Sequence, residues 1–352
     1  MPSSTSSSDP TAWRRFFRLA VGTAAGAVAV LFLFVALTDP WDTLPLHWPA
    51  SRVPVTGNQR FSYPALARSP RFDSAVIGTS TSRLLRPALL DTAFDARFVN
   101  LAMNDATVFE AHAIFNEFLA AHPAPKVLIV GLDVRWCVTG DSYQTLTPRP
   151  FPEWMYGHSR WLGYANLLNL FAVQEAGKAF GVLTGIKEPD MGSDGYTRFV
   201  PPDSDYDRAR AQRKLAEYGV SIPDGARHGP PSAWRYPTQE VLRDMLNRLP
   251  AETLKILYFV PYNQRMLPAP GDPVATVWAE CKRRAAALTK TVPNTVVVDF
   301  LRHSPITDDD DHYWDGMHTT VATADRVASD LKDAVRGERG PDYRLLSADE
   351  TP

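Results

Sequence analysis

Five short β-rich runs, each too short for a helix, recur along the chain at 75–78, 98–101, 127–131, 256–260 and 295–298. Segments of helical periodicity fall between or after them, at 107–122, 238–249, 274–291 and 320–335. In the second of these, Val241, Leu242, Met245, Leu246 and Leu249 share one helix face. Continuous apolar runs are the mark of strands buried on both faces, and their alternation with helices predicts a parallel sheet. The expected fold is α/β, a three-layer sandwich of flavodoxin-like type with a roughly five-stranded parallel sheet and right-handed crossovers.

A different constraint comes from the N-terminus, where 19–37 carries nineteen residues without a charge. That is close to the roughly 20 residues that cross a bilayer as a helix. Arg14, Arg15 and Arg18 precede the run, whereas Asp39 and Asp42 follow it. The positive-inside bias then leaves 1–18 as a cytoplasmic tail and exports the rest, to the periplasm or the cell surface. No clean small-x-small cleavage site follows, which favours an uncleaved signal-anchor over a removed signal peptide. The Arg14-Arg15 pair followed by Phe17 also has the look of a twin-arginine export signal, although the next positions depart from it.

The chain of 352 residues has room for one large domain or two small ones, and a formal charge of -2 offers no basic stripe for nucleic acid. The segment 38–70 is Pro-rich and aperiodic and reads as a linker, 71–336 as the folded domain, and 337–352 as a flexible tail. Within the domain, 138–236 is too long for a connection; it reads as an insertion with a helix over 161–180, either a lid, a partner surface or plain packing. Only Cys137 and Cys281 are present, without a CxxC or Cys/His cluster, which argues against a disulfide framework and a structural zinc site.

Two strand ends carry chemistry. "SAVIGTSTSR" (74–83) sets four hydroxyls after the first run, and "HYWDGMHTT" (312–320) sets Asp315 three residues before His318. A carboxylate at that spacing reaches imidazole Nδ1 and leaves Nε2 to take a proton from a hydroxyl. Each half alone is weak, since small-residue turns and surface Asp/His pairs are common. Their joint placement at strand ends, where open parallel sheets bind ligands, is more specific.

With these motifs the chain resembles the SGNH, or GDSL-like, hydrolase superfamily. "GTS" (78–80) stands at the place of its nucleophile motif and "DGMH" (315–318) at that of its terminal Asp-x-x-His. The resemblance implies a Ser80, His318, Asp315 triad without cofactor or metal. It also places "NLAMNDAT" (100–107) and "VGLDVRW" (130–136) at the blocks that supply the oxyanion hole. Asp105 stands where the family has a glycine that donates its amide, and Asp133 where it has an asparagine that donates its side chain. A carboxylate cannot donate unless protonated, so Asn104 is a candidate substitute, or else the cap of the following helix. Thr81 and Ser82 are expected to cap the helix after the nucleophile. The architecture is most similar to the membrane-anchored branch with DltD-type and AlgX- and AlgJ-like proteins. That implies a serine acyltransferase or esterase adding or removing acyl groups, most simply O-acetyl, on an envelope polysaccharide, with a membrane-bound O-acyltransferase as a possible partner. The alternative is a catalytically degenerate scaffold that binds glycan or a membrane partner.

Arg83, Trp136 and Trp154 have the chemistry to contact a sugar, although core packing explains them equally well. The run 308–311 lacks the alternating spacing of a calcium loop and reads as a solvated acidic turn. His312 lies near His318, but the latter has the better-placed aspartate.

Overall fold

A computed structural model describes residues 10–44, 57–157, 161–217 and 229–349. Parts of the expected tail, linker and insertion therefore lie outside the described residues. The chain opens with α1 (Pro10–Thr38) and α2 (Gln59–Ala67), then runs β1 (Ser74–Ile77), α3 (Pro87–Phe94), β2 (Phe98–Asn100), α4 (Val108–Ala121) and β3 (Val127–Leu132). After α5 (Leu170–Leu183), α6 (Arg208–Glu217) and α7 (Pro237–Asn247) come β4 (Leu254–Phe259), α8 (Pro273–Thr291), β5 (Thr295–Asp299), α9 (Val321–Val335) and β6 (Arg344–Leu346).

The sheet has six strands in the order β2-β1-β3-β4-β5-β6. Strands β1 to β5 pair in parallel, and β6 lies antiparallel to β5. All residues of β1, β2 and β3 are buried, which is why these strands read as unbroken apolar runs. The chain reverses its direction of travel across the sheet between β1 and β3, the switch point at which such sheets form a crevice. Helices α4, α7 and α8 pack in succession, and α3 packs with α9. The helix α1 is long and apolar enough to cross a membrane, the property shared by anchors and signal sequences.

Four expectations need correction. The sheet has a sixth strand inside the supposed tail, where Tyr343 is buried against Phe300; a three-residue strand next to charged and proline residues leaves no periodic trace. The supposed linker contains α2, whose Arg60 and Tyr63 are buried. Cys137 and Cys281 form a disulfide across 144 residues of sequence, joining the turn after β3 to α8. Finally, the helix expected over 161–180 is a 3-10 segment (Trp161–Leu167) followed by α5, because the Asn169 side chain accepts the Ala172 N–H and starts a new helix there.

Candidate active site

Strand β1 delivers Gly78 and Thr79 to a single 3-10 turn, Ser80–Ser82, closed by the Ser82 N–H to Thr79 C=O bond of 3.0 Å. Ser82 points down into the sheet, where its Oγ accepts from Tyr258 Oη on β4 at 2.7 Å. A Cβ on Gly131 of β3 would collide with that Oγ, so glycine is what admits the turn so close to the sheet. Thr81 Oγ1 lies 3.1 Å from Thr79 Oγ1. Ser82 and Thr81 thus fix the nucleophile turn from beneath and beside it, and neither is the helix cap expected of it.

Ser80 is left facing the turn before α9. That turn is closed by the Tyr313–Thr319 bridge and the Trp314 N–H to His318 C=O bond. Asp315 Oδ1 accepts the N–H groups of Met317 and His318, each at 2.8 Å, and Oδ2 accepts from His318 Nδ1 at 2.7 Å. His318 Nε2 stands 2.8 Å from Ser80 Oγ. Burial pushes the Asp315 carboxyl up, but the His318 ring and the two amides more than offset it and hold it below the usual carboxylate range. A charged Asp315 fixes the proton on Nδ1, so Nε2 accepts the Ser80 hydroxyl proton. The edge of Phe199, from the insertion, packs against the His318 ring at a centroid distance of 5.3 Å.

The turn between β2 and α4 carries Asn104 and Asp105. Arg60, ion-paired with Glu110 in the interior, donates to Asn104 C=O at 3.1 Å, and Arg83 donates to Asn104 Oδ1 at 2.6 Å. Guanidinium groups only donate, so the amide oxygen is fixed on Arg83 and the Nδ2 hydrogens face elsewhere. The cap of α4 is Thr107, in a capping box with Glu110, which removes that role from Asn104. Asp105 has φ of 50°, the left-handed conformation glycine favours. Among the described residues neither the Ser80 nor the Asp105 amide donates to another group.

Asp133 is an acceptor rather than a donor. Its Oδ2 accepts the Thr79 hydroxyl and its Oδ1 the Arg135 N–H at 2.8 Å. It lies in the interior at 5% exposure, and burial pushes its pKa up against those two hydrogen bonds. Trp136, 1% exposed, lies in the main core and is no sugar platform. Arg83 is equally withdrawn, 3% exposed, with Phe199 stacked over its guanidinium; it positions Asn104 instead of meeting a ligand. Trp154 packs against a second apolar cluster around Trp41 and Phe61. In the acidic run, Asp310 pairs with Arg265, and Asp308 with His303. His312 Nδ1 bonds Ile306 C=O, away from Ser80.

Two residues that sequence reasoning passed over matter here. Asn100, fully buried at the end of β2, donates to the C=O groups of Ser82 and Leu85 and accepts the Ala102 N–H, tying the nucleophile turn to the turn that carries Asn104. Phe199 links the insertion to both His318 and Arg83. The only available signal was an asparagine closing an apolar run, where a polar side chain is worth placing.

No protein-family model matches the chain, and no curated protein matches it.

Proposed function

We propose that this chain is an SGNH-like serine acyl-transfer enzyme, exported and membrane-anchored, that adds or removes acyl groups on a cell-envelope polysaccharide. The observation that carries the reading is the continuous relay from Asp315 through His318 to Ser80, two ends of the chain 238 residues apart brought within hydrogen-bond reach at the sheet's switch point. The strand order 2-1-3-4-5 and the two helix groups fit the three-layer SGNH sandwich. In this reading Ser80 Oγ attacks the acyl carbonyl carbon while His318 Nε2 takes its proton. His318 then returns the proton to the departing oxygen, and the Ser80 acyl ester passes to a glycan hydroxyl or to water. The amides of Ser80 and Asp105 and the Asn104 Nδ2 stabilise the oxyanion, replacing the donor that Asp133 does not supply.

The envelope polysaccharide and a membrane-bound O-acyltransferase partner rest on the resemblance to the anchored branch of that superfamily. Export is supported by the apolar α1 and by the Cys137–Cys281 disulfide, a bond characteristic of oxidising compartments. A fluorophosphonate probe should label the protein covalently, and Ser80→Ala should abolish labelling; equal labelling of the variant sinks the assignment. One observation favours a non-catalytic scaffold, the use of Asp133 as an acceptor. That reading requires Ser80→Ala and His318→Ala to leave envelope acylation in cells unchanged.

A further inference from the structure

The triad uses Phe199 of the insertion but nothing of α5, and α5 is where the apolar surface lies. Among the described residues outside α1, every large apolar side chain that is exposed, Leu89 apart, falls between 168 and 186: Leu168, Leu170, Phe180, Leu183 and Ile186, the last 81% exposed. Their helix is sided. Ala172, Ala176 and Ala179 are buried inward, Leu170, Val173, Phe180 and Leu183 form an apolar flank, and Gln174 and Lys178 form a polar one. An apolar flank beside a polar one is the pattern of a helix lying at a membrane interface.

Its neighbour says which apolar phase covers that flank. Helix α5 packs along α1. The Phe180 ring lies 6.0 Å from that of Phe34, and Leu168 shares a cleft with Val21, Ala25, Val28 and Phe32 of α1. All these α1 residues fall inside the uncharged run 19–37. The contact is anchored, because Val35 and Trp41 are buried with Phe61, Leu167 and Ala172 in one cluster. Side chains that pack beside the middle of a membrane-spanning helix share its depth, and the apolar surface of α5 is continuous with the lipid-facing surface of α1.

We propose that α5 and the turns flanking it form a second membrane-contacting element, sunk in the leaflet nearest the catalytic domain and covered by lipid acyl chains. The inference rests on the reading of α1 as a membrane span. The domain is then seated on the bilayer in a fixed orientation by α1 and α5 together, and does not swing on a tether. Lys178, ion-paired with Glu175 at 2.6 Å, lies on the polar flank and reaches toward the headgroups.

The test uses the full chain in phosphatidylcholine and phosphatidylglycerol nanodiscs, with single nitroxide labels on Leu170→Cys, Phe180→Cys and Ile186→Cys. Val30→Cys on α1 and Arg213→Cys on α6 serve as lipid and water references, and both native cysteines are held in the disulfide. Labels at 170 and 180 should relax several-fold more with oxygen than with a water-soluble nickel chelate, as at 30 and opposite to 213. Nickel-dominated relaxation at 170, 180 and 186 with a lipid-like Val30 label overturns the proposal and leaves the anchor standing. Shielding of the three labels from both reagents also overturns it, since a protein then covers the flank. A water-like label at 30 overturns the anchor and the proposal with it.

Discussion

The turn 314–318 and the end of β3 each bring an aspartate to the switch point, yet the two carboxyls are tuned in opposite directions. Asp315 receives two amides and the His318 ring, and these three charge-assisted donors hold it ionised. Asp133 receives only the Thr79 hydroxyl and one amide in a drier setting, and desolvation wins. The number of donors, and whether one of them can carry charge, decides which carboxylate can orient a catalytic base. It also separates their linkage to pH. The stabilisation from Asp315 is present above the unfolded carboxyl pKa of about 3.9 and is lost as pH falls through its lower folded value. Asp133 binds its proton more tightly when folded, so its contribution is complete below the unfolded pKa and is lost as pH rises through the folded value.

Breaking the first half of this contrast should have the largest effect. Asp315→Asn keeps the shape of the turn but places an amide against His318 Nδ1, favouring the wrong tautomer, and kcat on an activated acyl ester should fall on the order of 10⁴-fold. A loss under tenfold would mean that His318 is oriented by something else. Next in size is the donor that Asp133 fails to provide. Asn104→Ala should lower kcat by about 10²–10³-fold with KM nearly unchanged, and Asn104→Asp should do the same, because its side chain no longer donates when ionised. An unchanged kcat would remove Asn104 from the oxyanion hole.

How far this contrast was legible in the sequence follows from the length of the signals. Strands β1 to β5 and helices α4, α7, α8 and α9 announce themselves because each is a continuous or periodic apolar pattern several residues long. Strand β6, which opens on the exposed Arg344 and follows Pro341 and Asp342, and α2, with a proline inside and the polar Gln59, Arg60 and Ser62 breaking its apolar pattern, do not. Ser80, Asp315 and His318, which the structure joins by hydrogen bonds, could be picked out because local spacing singles them out. The direction of the Asn104 amide was hidden, because it is set by Arg60 and Arg83, 44 and 21 residues away. Trp136 illustrates the reverse error: an aromatic beside a strand end looks like a ligand platform until the core closes over it.

The smallest effect should come from Asp133→Asn, and its sign is diagnostic. The amide oxygen can accept the Arg135 N–H while Nδ2 donates to Thr79 Oγ1, whose own hydroxyl then turns to Thr81 Oγ1 3.1 Å away. Hydrogen bonding is conserved and the titration disappears. Between the unfolded and folded pKa values the native state of the parent protein holds more protons than the unfolded chain, so its stability declines as pH rises there. The advantage of the variant in thermal midpoint should therefore grow as pH rises through that window. A difference that is flat or shrinks across it would contradict a buried carboxyl held against desolvation. The same variant sharpens the site: kcat should change less than tenfold if Asn104 already fills the donor position. A gain of about 10²-fold would show that position still open and place the missing donor at the end of β3.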